Sequence, residues 1–229
     1  MVICPLCSKG ESSPGIPLCT CQWDQEAEFY AASRRNEVRR KVREDFTRTV
    51  PPRYQNYLAR EVPDAVCRAN PEMTEYMTGT FGLGSFVFLH GPAGRGKTHA
   101  GLHHVGRLVR DLDVTGAYVS ELQYFDGLTQ GMRGGQTEMA DLRLTKVLLY
   151  DDFGRRKASE WVRQEIFALM EFRWSHKLAT VITTNYDPDT AGGQLSDDVR
   201  DVEALVSRMT SGETFTVVGP IDGRVGSAK

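Results

Sequence analysis

Five short apolar runs punctuate the chain, FVFLH (86–90), GAYVS (116–120), KVLLY (146–150), ATVIT (179–183) and TFTVV (214–218), and each reads as a strand. Between them lie longer stretches of helical character, near 97–111, 121–132, 159–175 and 198–210. This alternation predicts an α/β fold, a parallel sheet covered by helices. Upstream, Asp24 to about Thr49 carries Val38, Val42 and Phe46 at four-residue steps, with Arg39, Arg40 and Arg43 turned towards the other side, a pattern for one long helix. Pro51 and Pro52 end it. Residues 1–21 differ from all of this, being rich in Cys, Pro, Gly and Ser with almost no apolar periodicity, so they build no core unaided. No internal repeat or low-complexity tract is present.

Composition narrows the picture only a little. At 229 residues there is room for one domain of ordinary size with a small appendage, and 40% hydrophobic with 25% charged residues predicts a buried core. The formal net charge is -2, so any basic surface must be local. One such stretch exists: Arg34 to Arg53 holds eight Lys/Arg against three acids, while Asp187 to Glu203 holds six acids against one Arg. The basic helix suits a nucleic-acid phosphate backbone, or is simply a solvated face. The longest apolar run, IFALM (166–170), is five residues and no charged region followed by an apolar run opens the chain, so neither a membrane span nor a signal peptide is expected, and the sequence reads as cytoplasmic.

Candidate chemistry begins directly after the first strand of the sheet. GPAGRGKT, comprising Gly91, Pro92, Ala93, Gly94, Arg95, Gly96, Lys97 and Thr98, fits GxxxxGK[ST] and runs into a helix. The glycines let the backbone fold around a phosphate, the loop N–H groups and the helix N-terminus supply positive dipoles, and Lys97 reaches the β and γ phosphates of ATP. Thr98 would ligate Mg2+ with its hydroxyl. About 50 residues on, KVLLYDDFG ends an apolar strand in two acids. Asp151 would hold the Mg2+ through its water shell and Asp152 would orient the attacking water; a pair of acids there could instead cap the next helix. VITTN places Asn185 at another strand end, where its amide can bond the attacking water or the γ phosphate, although Asn also ends strands for turn reasons.

Of five Cys, four crowd the first 21 residues. Cys4, Cys7, Cys19 and Cys21 form CPLC and CTC pairs, similar to the two-knuckle spacing of four-Cys zinc sites, with the second pair tighter than usual. Bound Zn2+ would supply the folding free energy that so short a segment lacks. Free thiols or a redox dithiol are the alternatives. Cys67 is read as a small buried residue. His99, His103 and His104 have no ligand partners at suitable spacing and are read as surface or packing residues.

The order of these motifs resembles the DnaC/DnaI/IstB branch of AAA+ ATPases, the helicase loaders and transposition helpers. The resemblance runs over roughly residues 45 to 224: VPPRY, GPAGRGKTH, DDFG, a helix with FRW, TTN, SRM and a closing VVGPIDGR. It implies a P-loop AAA+ core at 51–229; ahead of it the residues themselves read as a zinc-binding module at 1–22 and a basic linker helix at 23–50. It further implies that Asn185 is sensor 1 and that Arg208 of SRM is an arginine finger reaching a neighbouring subunit's nucleotide; Arg208 could otherwise be a solvated helix arginine. Arg224 matches the family's closing pattern without a clear role, and residues after 211 are too few for a separate helical lid. Asp152 departs from AAA+ proteins generally, where Glu usually stands, and its shorter arm suits slow or partner-dependent hydrolysis. The function so implied is loading of a replicative DNA helicase onto single-stranded DNA, with self-association through nucleotide-bridged interfaces, in a phage or prophage setting. The alternatives are an IstB-like transposition helper assembling on duplex DNA and a nucleotide-gated adaptor with negligible hydrolysis.

Overall fold

The structure is a computed structural model, and it describes residues 21–79, 81–132, 141–196 and 198–219 together with two short strands, with side chains at 28–79, 81–131, 141–196 and 198–219. Cys4, Cys7, Cys19 and Arg224 lie outside the described residues, as does the side chain of Cys21. The chain divides into two units, Met1–Lys41 and Val42–Lys229. In the first, β1 (Glu11–Ser13) and β2 (Ile16–Pro17) pair antiparallel ahead of most of α1 (Cys21–Thr49).

The second unit takes in the last turns of α1, a 3-10 helix (Pro52–Leu58), α2 (Asp64–Arg68) and α3 (Pro71–Thr78), and then alternates regularly. β3 (Phe86–His90), α4 (Lys97–Leu112), β4 (Gly116–Ser120), α5 (Glu121–Met132), β5 (Val147–Phe153), α6 (Glu160–Ser175) and β6 (Ala179–Thr184) follow, then α7 (Pro188–Leu195), α8 (Val199–Met209) and β7 (Glu213–Thr216). The sheet order is β4-β5-β6-β3-β7 and every pairing is parallel. Strands with helices on both faces are buried on both faces, which is why the apolar runs are continuous rather than alternating. Side-chain alternation divides them cleanly. Val87, Leu89, Val147, Leu149 and Val181 join Phe46, Val62, Val66, Met73, Tyr76 and Leu102 on one side. Phe86, Phe88, Leu148, Tyr150 and Ile182 join Ile166, Leu169, Met170, Leu205 and Met209 on the other.

Strand and helix positions follow the sequence pattern closely, with instructive differences. β5 runs three residues past Tyr150, through both acids, because a register shift between Tyr150 and Phe153 lets Phe153 re-pair with Thr184. The 3-10 helix, α2, α3 and α7 have no counterpart in the periodicity. Each is short and carries proline in or just before its first turn, so it gets its order from packing and local caps. Asn70 caps α3 through Met73 N–H at 3.4 Å, and Asp187 caps α7 through Thr190 N–H at 3.0 Å. Among the described residues no helix is long and apolar enough to cross a membrane.

The FRW arginine is structural. Arg173 is fully buried on α6 and donates to the carbonyls of Leu142 (2.6 Å), Thr145 (2.7 Å) and Ala179 (2.6 Å) and to Thr180 Oγ1 (2.9 Å). One guanidinium thereby ties α6 to the segment entering β5 and to β6. Substitution Arg173→Leu strands those carbonyls in the core, at about 1–3 kcal/mol for each unsatisfied group. The expected outcome in thermal denaturation is a loss of about 3 kcal/mol or more and a Tm lower by about 6–12 °C.

Candidate functional site

In a parallel sheet all strands deliver their C-terminal ends to one edge, and there β3, β5 and β6 present the phosphate-loop motif, the acids and Asn185. The loop from Gly91 is held against the chain after β7: Val217 N–H donates to His90 O at 2.6 Å, and a Cβ on Gly91 would stand 2.0 Å from Val217 O. Gly91 also has φ +137°, so glycine is required there on two counts. Gly96, at φ +85°, precedes α4 and leaves the first helical N–H groups pointing into the loop. Lys97 is buried at 7% exposure, with Nζ donating to Gly91 O (2.6 Å), Pro92 O (2.8 Å) and Asn185 Oδ1 (3.0 Å). The ammonium thus already spans from the loop to Asn185, just past the end of β6.

Asp151, 3% exposed, accepts three hydroxyls from three elements: Thr98 Oγ1 (2.8 Å) on α4, Tyr118 Oη (3.0 Å) on β4 and Thr183 Oγ1 (2.5 Å) on β6. Burial raises its pKa, and the Thr183 hydroxyl pulls it back. Asp152 leaves the strand conformation altogether, with φ +60°. Asp152 lines the cavity, and its Oδ2 accepts from Arg155 at 2.9 Å. Non-glycine residues in this region are uncommon and cost about 1–3 kcal/mol, so the surrounding structure must impose the conformation.

A cavity of about 350 Å³ opens at this edge. One wall is the loop, with Ala93, Gly94, Arg95, Gly96, Lys97 and Thr98, joined by Asp152 and Asn185. The opposite wall was missed by sequence reasoning: Tyr54 and Tyr57 of the 3-10 helix, stacked at 5.6 Å, with Val62, Pro63 and Val66 beyond them. Tyr57 stacks in turn on His99 at 4.1 Å, and the His99 Nε2 lies 2.8 Å from Arg60 O. Only the VPPRY segment could have signalled this wall, since an aromatic pair after prolines carries no ligand chemistry of its own. Chemically, the cavity offers a flat aromatic and aliphatic surface facing oriented N–H groups, an ammonium, and a hydroxyl next to a carboxylate. Those features fit the base, the phosphates and the Mg2+ of a nucleoside triphosphate.

Other sequence-level candidates fall elsewhere. His104 is buried beside Tyr76 and Phe81 and burial lowers its pKa to about 4, so it packs as a neutral ring. Half-buried Cys67 places Sγ 3.9 Å from Val62 O. Arg208 on α8 does not line the cavity of its own chain; its guanidinium pairs with Glu171, donates to Ala204 O at 2.7 Å and lies 5.7 Å over the Trp174 ring. No cluster of three or more metal-ligating side chains occurs among the described residues.

No family model matches the chain. A curated relative, the replicative helicase loader DnaI of Bacillus subtilis (strain 168), is 26% identical over 111 residues, which is 47% of this chain and 35% of that protein. The chain therefore matches about a third of the relative's length. A crystal structure of the DnaC helicase loader superposes with a TM-score of 0.53 at 22% identity, covering 74% of this chain and 99% of that one. AMPPCP-bound DnaA from Aquifex aeolicus gives a TM-score of 0.56 at 19% identity over 76% of this chain and 53% of that one. The structural likenesses show a shared fold, and the DnaI match meets the motif order read from the sequence, so the chain is similar to the DnaC/DnaI group.

Two substitutions separate the walls. With a fluorescent ATP analogue, Asp151→Asn is expected to abolish the tightening that Mg2+ gives while leaving metal-free affinity within about twofold, because the amide removes the charge yet keeps one oxygen for Thr98 and Thr183, and the Tyr118 hydroxyl can turn to accept from its N–H₂. Tyr57→Ala is expected to weaken binding about tenfold with and without Mg2+, the loss of one stacking surface.

Proposed function

We propose that this DnaC/DnaI-like chain is an ATP-controlled loader that grips a replicative DNA helicase and places it on single-stranded DNA. The observation that carries the nucleotide part is the convergence of two bonded pairs at one sheet edge, Lys97 with Asn185 and Thr98 with Asp151, drawn from α4, β5 and the end of β6. ATP would bind with its phosphates on the loop and its base against Tyr54 and Tyr57, and Thr98 with Asp151 would hold Mg2+. Asp152 would orient water and Asn185 would sense the γ phosphate. Support for the loader part is the likeness to DnaI and DnaC, a replicative helicase loader and a helicase loader. Cys4, Cys7, Cys19 and Cys21 would hold one Zn2+ in an N-terminal module that meets the helicase.

A switch suits this site better than a motor. Asp152 has a shorter arm than Glu, and its carboxylate is engaged by Arg155, so hydrolysis would be slow until a partner frees it. Arg208, lying away from its own chain's cavity, would act across a subunit boundary on the neighbour's γ phosphate.

The test uses purified chain and purified replicative helicase. Lys97→Ala is expected to lower ATP affinity at least about 100-fold and to abolish ATP-dependent co-sedimentation with the helicase, since the ammonium is the main side-chain counter-charge to the phosphates. Unchanged binding and turnover would end the nucleotide reading. Arg208→Ala should bind ATP normally, lose hydrolysis, and regain part of it when mixed with Lys97→Ala chains, because a wild-type Arg208 then faces an intact loop. Absence of recovery despite co-assembly would place Arg208 outside the reaction. Metal analysis of chelator-free protein should return one Zn2+ per chain, lost in Cys4→Ser.

A further inference from the structure

A third acid beside the site does not come from any motif. Glu121 is the first residue of α5, immediately after β4, whose last residue Ser120 stands opposite Asp151 in the parallel register. An acid in the first turn of a helix ordinarily faces solvent and favours the helix dipole. Glu121 does neither in the ordinary way: it is 1% exposed, and its carboxylate reaches out of α5 to the loop that leaves β5. Oε1 accepts Gly154 N–H at 2.8 Å, and Oε2 accepts Arg155 N–H at 2.8 Å and Arg156 N–H at 3.1 Å. Burial pushes its pKa up to about 7 while those three N–H groups pull it down, so the fold bears a desolvation cost for this carboxylate and offsets it only through the loop.

The three amides follow directly on the strained turn. Asp152 at φ +60° and Gly154 at φ +75° bracket Phe153, whose carbonyl accepts Thr184 Oγ1 at 2.7 Å. Asp152 N–H is held by Thr183 Oγ1 at 3.1 Å on the upstream side, and Glu121 holds the downstream side. Arg155 links the two ends, because its backbone is fixed by Glu121 while its guanidinium donates to the Asp152 carboxylate. Thr183 and Thr184 alone would secure Asp152 and Phe153 but leave Gly154 to Arg156 without an anchor in β4 or α5.

We propose that Glu121 is a positioning residue for hydrolysis, clamping the Gly154–Arg156 backbone so that the preceding Asp152 keeps its left-handed turn and presents its carboxylate, with Arg155, to the cavity. The inference deepens the nucleotide reading and rests on it. Nucleotide binding, which uses Gly91 to Thr98 and Asp151, should be indifferent to the clamp.

Glu121→Gln keeps the volume but offers an amide N–H₂ where a backbone N–H must be accepted. With the full chain, in whichever condition the parent turns over ATP, alone or with helicase, the rate at saturating ATP is expected to fall about 10- to 100-fold. Affinity for a fluorescent ATP analogue should stay within about twofold. Amide hydrogen exchange of a peptide spanning 153–157 should accelerate while the phosphate-loop peptide is unchanged, and Glu121→Asp, which keeps the charge on a shorter arm, should fall between parent and Gln in rate. An unchanged rate or unchanged exchange at 153–157 in Glu121→Gln overturns the clamp. So does a loss of rate that comes only together with lost analogue affinity and faster exchange throughout the sheet, which would mark Glu121 as a general stabilising residue. A parent chain with neither analogue affinity nor turnover would sink the nucleotide reading instead, and the exchange measurement would still decide the clamp.

Discussion

A carboxylate removed from water must be met by donors, and Asp151 is met by hydroxyls from Thr98, Tyr118 and Thr183. Each donor sits on a different element, so one buried anion fixes the N-terminus of α4 and the ends of β4 and β6 around β5. The same phenol carries the link further: Tyr118 packs edge-on against Tyr54 at 6.4 Å, and its backbone N–H donates to Thr49 Oγ1 at the end of α1. The Thr98–Asp151 pair and the aromatic wall of the cavity are therefore joined through a single residue. A charge change at Asp151, such as arrival of a divalent cation, would alter a bond network that reaches both walls, which gives nucleotide state a physical route to the segment following α1.

Against that fixed point, the mobile part of the chemistry is set by a break in the strand. β5 carries its first acid inward in regular geometry and its second outward at positive φ, so two adjacent carboxylates reach unlike environments. Regular alternation would also send neighbours to opposite faces, but it would place Asp152 in the layer of Leu148 and Tyr150 rather than in the cavity. The register shift and the left-handed turn are what redirect it, and their cost is met by Thr183, Thr184 and Glu121.

How much of this was legible follows from what kind of order each element has. The five central strands and the long helices were readable because burial on both sheet faces leaves uninterrupted apolar runs, and because Lys97 to Thr98 and Asp151 belong to motifs with fixed mechanics. The 3-10 helix, α2 and α3 were not, since Pro52, Pro63 and Pro71 cut the segment carrying Val62, Val66, Met73 and Tyr76 into pieces too short to read as a helix. Glycines 192 and 193 hid α7, whose propensity is poor and whose start is an Asp187 cap. The site shows the same division. Residues that bond through motif backbone were found; Tyr54, Tyr57 and Glu121 were missed because their roles are created by tertiary neighbours, and a Glu opening a helix is indistinguishable by sequence from a dipole-favoured surface acid.

Arg208 carries the last step, because its position constrains what the isolated chain can do. The guanidinium is occupied within the protomer by Glu171, Ala204 O and the Trp174 ring, on α8 and α6, while the cavity lies at the C-terminal ends of β3, β5 and β6. An arginine so held contributes nothing to charge developing on its own chain's γ phosphate. Hydrolysis by a lone protomer would then rest on Lys97, Mg2+ and an Asp152 still paired with Arg155, a set lacking the group worth about 10³- to 10⁵-fold in nucleotide hydrolases that use one. If a neighbour supplies that group, turnover becomes a report on assembly rather than a property of the subunit. For the loader proposed above, coupling ATP loss to the arrival of a second surface is the behaviour this arrangement would favour.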